Sequence, residues 1–505
     1  MNSSSRVIVN TIAQYVKTFV NIVLTLYSTR LILQVLGVED FGIYTLLAGV
    51  ISMLSFATNA LATTTQRFLS FHQGRSDVEE QKNIFANSFY IHLALGIITL
   101  LVLLALIPFL FNGFLNIPSD RESAAVSTYC IVTFILLITF GATPYRAVLV
   151  SHENIVYLTV IDIIDGILKV LMAISLSHIT YDKLVSYSCF MFIIQCFNLA
   201  TIGTFALKKY EECIMPSVKR INKQYIYDVA SFAGWTMYSV GCVIGRTQGI
   251  AIVINKFFGA AINAAYGLGF QISSYVNFMS ESLLNAIRPQ LMRAEGAGDR
   301  DKMLWLSEIA SKYSFFLLSC LAMPCVFEMD SLLNLWLGDV PEYSILFCRM
   351  VLIASMADTI TGGLVLANQA VGNVKQYSLV VNTVKLLTLP FVVLGIILDA
   401  PVVFIAVCFI LFECFCAILR IPFVAKTGNL KIGVFVYNVF GRLLIPLIVS
   451  IISTIVVKYM VEVEYGFVLT FIIPNICYVI AFYYLGVKSE EKQYIKTLCN
   501  KIIRL

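Results

Sequence analysis

The chain has 505 residues, 59% of them hydrophobic and only 13% charged, with a formal net charge of +5. A water-soluble protein carries about a quarter of its residues charged, so this chain cannot clothe its own surface and lipid must cover most of it, which excludes a soluble enzyme or binding domain. No basic domain stands clear of the apolar segments to meet nucleic acid.

The first residues, MNSSSRVIVN, lead into an apolar stretch bearing Asn10, Gln14 and Lys17 with no small-residue cleavage site, which reads as an uncleaved first span. A span needs about 20 apolar residues. On that measure the chain offers fourteen: 12–36, 41–70, 83–111, 124–150, 154–178, 183–208, 226–258, 260–292, 304–330, 343–370, 374–399, 401–425, 434–459 and 465–486. The fold class expected is an all-α polytopic membrane protein. The longest loop, LKKYEECIMPSVKRINKQY (Leu207–Tyr225), marks a boundary. It divides the chain into a six-helix lobe over 1–215, a second over 216–430, two further spans over 431–487 and a basic tail over 488–505.

Alternate loops concentrate lysine and arginine. One set holds Arg75, Lys82, Lys208, Lys209, Lys219, Arg220, Lys223, Arg293, Arg300, Lys302, Lys375, Lys426 and Lys431, and the tail adds Lys488, Lys492, Lys496, Lys501 and Arg504. The opposite set has little beyond Arg121, Lys183 and Lys458. The positive-inside rule therefore places both termini in the cytoplasm. The thirteen cysteines are scattered, mostly inside apolar runs, with no CxxC at zinc spacing, and read as small hydrophobes. No soluble domain and no phosphate-binding glycine loop is present, so the sequence calls for no cofactor and no metal.

The two halves echo each other. LGVEDFGIYTL aligns with FGAAINAAYGL, and QRFLSFHQGRSD with RPQLMRAEGAGD. Gly37 meets Gly259, Tyr44 meets Tyr266, Gly74 meets Gly296 and Asp77 meets Asp299, a constant interval of 222 (259 − 37). Such a parallel repeat predicts two lobes related by a pseudo-two-fold axis along the membrane normal.

The echo extends to polar side chains inside the spans. In span eight Ser274, Asn277, Glu281, Asn285 and Arg288 fall on one helical face. The corresponding positions of span two are Ser52, Ser55, Asn59, Thr63 and Gln66, all polar, and span one carries Asn10, Gln14, Lys17, Asn21, Thr25 and Ser28. In span seven Arg246 shares a face with Ser231, Trp235, Ser239 and Cys242. Hydroxyl and amide stripes also join helices to one another, but a charge at mid-span costs about 2.5–3.5 kcal/mol on insertion scales and calls for a wet, polar surrounding. The expectation is a cavity between the lobes, contacted by Arg246, Arg288 and Lys17, with Arg67 and Arg30 as further cationic candidates, and lined by Asn21, Asn59, Gln66, Asn277, Glu281 and Asn285.

Other charges are open to two readings. In span five Asp165 and Lys169 stand at i,i+4, apt for an internal pair, which leaves Asp162 as an excess carboxylate able to hold a proton or cation. Asp358 in span ten is a second mid-membrane acid, Lys385 matches Asp165 in the other half, and Glu413 is a weaker case. Asp162, Asp165, Asp358 and Lys385 are the candidates for ion coupling. Arg30 points away from the span-one stripe and either contacts another helix or reaches the interface. Arg67 lies about 75° from the centre of its stripe at 100° per residue, as a cytoplasmic anchor or a guard at the inner mouth. Arg146, beside Pro144, is an anchor or a substrate contact.

The start of the chain, NTIAQYVKTFVNIVLTLYSTRLILQVLGVEDFGIYTLLAGV, followed by TTTQRFLSFHQGRSD, resembles bacterial polysaccharide flippases of the Wzx type, within the multidrug/oligosaccharidyl-lipid/polysaccharide (MOP) exporter superfamily. The resemblance covers essentially the whole chain. It implies two six-helix lobes around a central cationic cavity that opens alternately to each side of the bacterial cytoplasmic membrane. It also implies an undecaprenyl-pyrophosphate-linked oligosaccharide as cargo and a polysaccharide polymerase as a protein partner, with the last two spans offering a groove for the lipid tail. Arginine suits a pyrophosphate by geometry and permanent charge. Drug-exporting members often carry an acid in the first span, which this chain lacks. Two alternatives stand beside this reading: a cation- or proton-coupled exporter of small organic molecules, which an acidic cavity would favour, and a membrane enzyme of glycan assembly, for which the short outer loops supply no acid–base or nucleophilic set.

Overall fold

A computed structural model of the chain describes residues 3–52, 55–111, 117–213, 220–337, 339–460, 466–489 and 491–492. The side chains of Ser52 and Ser55, and Lys219, Lys496, Lys501 and Arg504 with nearly all of the tail over 488–505, lie outside the described set. Among the described residues every regular element is helical. The principal helices are α1 (Ser3–Ser52), α2 (Ser55–Gly74), α3 (Val78–Ala105), α4 (Glu122–Ser151), α5 (Ile155–Leu176), α6 (Lys183–Lys209), α7 (Lys223–Phe258), α8 (Ala260–Gly296), α9 (Arg300–Phe327), α10 (Met329–Leu337), α11 (Ser344–Thr359) and α12 (Gly362–Val371). They continue with α13 (Val374–Ile397), α14 (Val403–Gly428), α15 (Ile432–Met460) and α16 (Gly466–Gly486). Ten stretches of the described residues are long and apolar enough to cross a membrane, or eleven if α11 and α12 count as one bent span. The chain is thus an all-helical, multi-span membrane protein. α5 is long enough but carries Asp162, Asp165 and Lys169 in its middle, which removes it from that set.

α1 holds the first expected span and the start of the second, which continues in α2, and is broken at Gly37 (φ 79, ψ 171), a conformation essentially confined to glycine. A loop was expected here. Instead the helix resumes at once and carries Glu39 and Asp40. Gly259, with φ 90, breaks the chain in the same way between α7 and α8. Asp77 caps α3 by accepting from the Glu80 amide at 3.0 Å, and Asp299 caps α9 by accepting from the Lys302 amide at 3.1 Å; each fills one of the orphan donors of a helix start. The residues before these caps, Ser76 and Gly298, are both left-handed, and α3 and α9 begin and end at the interval already seen in the sequence.

The chain forms two compact units, residues 2–237 with 296–298, and residues 238–295 with 299–505. The division falls inside α7, where the sequence places it in the preceding loop at 215/216. In the first unit α4 packs against α2, α3 and α6, and α1 lies along α5. Leu47, Leu61, Tyr129 and Phe140 form part of its core. In the second unit α11 packs on α14, α12 on α9, and α15 and α16 pair with each other and lean on α9. α11 and α12 meet at a 46° bend. A bend frees backbone carbonyls, which must be satisfied within the protein at membrane depth. Arg420 of α14 does so, donating from Nη1 to the Asp358 carbonyl at 2.9 Å and to Thr361 Oγ1 at 3.1 Å.

A charged, hydroxyl-lined cavity in the second unit

The second unit has an open cavity of about 340 Å³. Helical spacing explains its floor: Ser273, Ser274, Asn277 and Glu281 follow one another down one side of α8, and all four reach the lining. α7 contributes Arg246, α11 contributes Ser355 and Asp358, α13 contributes Lys385, and α14 contributes Phe409 and Glu413. Ser273 and Ser355 hydroxyls are 3.1 Å apart, and the Asn277 amide nitrogen donates to Ser273 at 2.8 Å and to Ser355 at 3.0 Å. These bonds tie α8 to α11 across the floor.

The charges form a chain. Arg246 Nη1 donates to Glu413 Oε1 at 2.7 Å, with its guanidinium 4.1 Å from the Phe409 ring centroid. Lys385 Nζ lies 2.9 Å from Glu413 Oε2 and 2.6 Å from Asp358 Oδ1. Arg420 Nη2 reaches the same Asp358 oxygen at 2.6 Å from behind the wall. Arg246, Lys385, Glu413 and Arg420 are buried, whereas the Asp358 side chain keeps 41% exposure. Asp358 is therefore the most exposed of the linked charges. One turn before Lys385, α13 contains a π-helical turn at Ser378–Asn382. It re-aims the helix so that Asn382 donates to Ser239 at 2.8 Å and Ser378 shares a 2.7 Å hydrogen bond with Ser239. Such turns cluster at functional sites.

Several predicted residues come together here: Arg246, Asn277, Glu281, Asp358 and Lys385. Arg288 and Asn285 lie farther along α8, outside the lining, and Arg288 Nε is buried without a hydrogen-bond partner. Glu281 lines the cavity and makes no hydrogen bond or ion pair with any described residue. The lining thus holds two cations, Arg246 and Lys385, against three carboxylates, Glu281, Asp358 and Glu413.

The remaining candidates belong to the first unit. Asp162 is not in excess: Lys17 Nζ lies 3.0 Å from its Oδ2, and Arg146 grips both oxygens at 3.0 and 2.6 Å. Asp165 pairs with Lys169 at 2.6 Å, as its spacing requires, and accepts from Asn198 at 2.7 Å. The Arg67 guanidinium sits among the rings of Phe68, Phe71 and Phe232, 4.7 to 5.3 Å from their centroids. Asn21 Oδ1 and Gln66 Nε2 are buried without partners, while Arg30 and Asn59 are exposed. Sequence reasoning undervalued Glu413 and missed Arg420 and the pairing of Arg146. The signal was there for the first two, because seven residues of helix return Arg420 to the face of Glu413. Among the described residues no group of His, Cys, Asp and Glu could hold a metal ion.

No protein-family profile matches the chain. It is 22% identical over 350 residues to "Uncharacterized membrane protein EpsK" of Bacillus subtilis (strain 168), a match covering 66% of each chain. It is 21% identical over 280 residues to "Putative O-antigen export protein" of Yersinia pseudotuberculosis, covering 54% of this chain and 61% of that one. The matches thus span somewhat under two thirds of these relatives. Among solved structures it superposes on a MATE in the bent conformation with a TM-score of 0.74 at 12% identity, over 86% of this chain and 96% of the other. It superposes on a MOP superfamily transporter from Pyrococcus furiosus, described as having a binding pocket of reversed polarity, with a TM-score of 0.72 at 12% identity, over 85% and 96%. The architecture is therefore the MATE-like fold seen in these solved transporters. The chain is distantly homologous to EpsK and to the Yersinia protein, in agreement with the resemblance carried by its N-terminal motifs.

Proposed function

We propose that the protein flips an undecaprenyl-pyrophosphate-linked oligosaccharide across the bacterial cytoplasmic membrane for surface polysaccharide synthesis. In this reading fourteen spans form two six-helix lobes, 1–215 and 216–430, that alternate access, with the spans over 431–487 appended and both termini cytoplasmic. The observation that carries the reading is the character of the cavity in the second unit: hydroxyls, an amide, two aromatic rings and paired ions suit a hydrated, sugar-like ligand better than a lipophilic drug. The distant likeness to an O-antigen export protein supports the same substrate class. Arg246 and Arg288 would meet the pyrophosphate or anionic sugars as the lobes move, and Asp162, Asp358 and Lys385, each in a close ion pair, are the groups whose exchange of a proton or cation would couple transport.

Arg246→Ala and Arg288→Ala, each introduced into a strain lacking the chromosomal copy, are expected to abolish surface glycan while the protein remains in the membrane. Normal glycan display by both variants would sink the proposal. Asp162→Asn is expected to alter the proton or sodium dependence of export; unchanged dependence removes that residue from coupling. One observation favours a second reading, a coupled exporter of small organic cations, namely the surplus of carboxylates in the lining.

A further inference from the structure

We propose that Glu281 is a subsite for a protonated amine on the cargo, so that the oligosaccharide carried by this protein contains an amino sugar whose nitrogen is not acylated. The inference rests on the flippase reading above and specifies its substrate.

The cavity's charges, taken one by one, leave Glu281 over. Arg246 and Lys385 each have a carboxylate oxygen of Glu413 within 2.9 Å. Asp358 is held at 2.6 Å by Lys385 and at 2.6 Å by Arg420. Each cation of the lining already faces a counter-charge, and two carboxylates are consumed in providing it. Glu281 stands open to the cavity with no hydrogen bond or close ion pair to any described residue; its one counter-charge is Arg288, which acts on it from farther along α8, outside the lining. Asn277, one turn back on its helical face, spends its amide nitrogen on Ser273 and Ser355, and Ser280 turns its hydroxyl back to the Asn277 carbonyl.

A carboxylate left in this condition awaits a donor from the ligand. A neutral sugar hydroxyl would bond to it but leave its charge in place, whereas an ammonium group donates and neutralises together, making the stronger, charge-assisted bond. Hydroxyls suffice to meet neutral sugar oxygens, so a carboxylate among them adds discrimination for charge. Phe270 and Phe409 belong to the same lining, with the Arg246 guanidinium already over the Phe409 ring, and an aromatic ring can attract an ammonium. About 340 Å³ admits part of an oligosaccharide, so the subsite reads one sugar and not the whole repeat unit.

The test uses the full-length protein in lipid nanodiscs at a fixed pH near 6. Binding of chitotriose, a glucosamine trimer with free amines, is compared with binding of its fully N-acetylated form. Wild type is expected to prefer the free-amine trimer by about tenfold. Glu281→Gln, which keeps shape and hydrogen bonding, is expected to abolish the preference without weakening the acetylated trimer, and Glu281→Asp to retain part of it. Equal binding of the two trimers by wild type overturns the amine subsite, as does a preference that survives in Glu281→Gln. If sodium changes acetylated-trimer binding in wild type but not in Glu281→Gln, the residue holds an inorganic cation and the proposal falls. Tight binding of the acetylated trimer alone leaves the flippase reading standing while removing the amine; binding of neither removes both.

Discussion

Four of the five charges between Arg246 and Arg420 are nearly withdrawn from solvent, and at that depth removing one partner costs more than the pair itself contributes. Glu413 is the hinge of the relay because both Arg246 and Lys385 rest on it. Glu413→Gln should destabilise the purified protein by about 3–5 kcal/mol, the usual cost of leaving a buried charge uncompensated, measured by thermal unfolding in detergent. Arg246→Met combined with Glu413→Leu should cost clearly less than the sum of the two single changes, since neither leaves the other's charge stranded. Additive losses would mean that the pair is not coupled. Arg246 was legible in the sequence as a charge too costly to face lipid. Its partner was not, because 167 residues separate the two along the chain and only folding brings α7 beside α14. For the same reason Asp162 reads as a lone acid until α1 and α4 deliver Lys17 and Arg146.

At the scale of the helix, glycine decides where backbones bend and where they touch. Gly37 adopts a conformation closed to other residues, so Gly37→Ala should lose about 1–3 kcal/mol, read as a lower unfolding temperature. Gly363 at the start of α12 lies against α9, where a Cβ would run into the Ser307 carbonyl and the Ser311 hydroxyl that accepts from its amide. Gly363→Ala should cost about 1–3 kcal/mol by overpacking and should straighten or shift the α11–α12 bend; unchanged stability would show that α9 and α12 are not in close contact. The segment that follows α16 is fastened to the same helix. Lys312 of α9 is 2% exposed. It donates to Glu491 at 2.8 and 2.6 Å and to the Gly486 carbonyl at 3.3 Å, with the Tyr313 hydroxyl also on Glu491 at 3.1 Å. Glu491→Gln should therefore lower the unfolding temperature sharply, and adding Lys312→Met should recover much of the loss because no bare charge then remains. Failure of that recovery would count against the strap.

At the scale of the whole molecule the sequence argues from charge alone. Lys208, Lys209 and Lys223 on one set of loops, against Arg121 and Lys183 on the other, carry the proposal that both termini lie inside. A fluorescent protein fused to the C-terminus should fluoresce and an alkaline phosphatase fused there should be inactive; an active phosphatase would reverse the orientation. On the opposite set, Arg121 is bound by Asp40 from Nε at 2.8 Å and Nη2 at 2.7 Å, and by Asp182 from Nη1 at 2.7 Å. These charges of the first unit neutralise one another instead of adding to the bias. The repeat is visible at this scale too, in the paired caps Asp77 and Asp299 and the paired breaks at Gly37 and Gly259.

What the sequence determined by itself was everything that follows from period and composition. Helices arise because apolar runs of bilayer length must satisfy their own backbone. Breaks and caps fall at particular glycines and aspartates, and certain charges stand out as too expensive for lipid. Only the tertiary structure decided which charges meet. It turned Asp162 and Asp358 from single acids into members of ion clusters, joined Glu413 and Arg420 to the site, left Arg288 and Asn285 outside the cavity lining, and left Glu281 as the carboxylate of the lining without a hydrogen bond or close ion pair. The reason is physical: hydropathy and helical phase are local properties, readable within a few turns, whereas the partner of a buried charge is fixed by the packing of helices far apart along the chain.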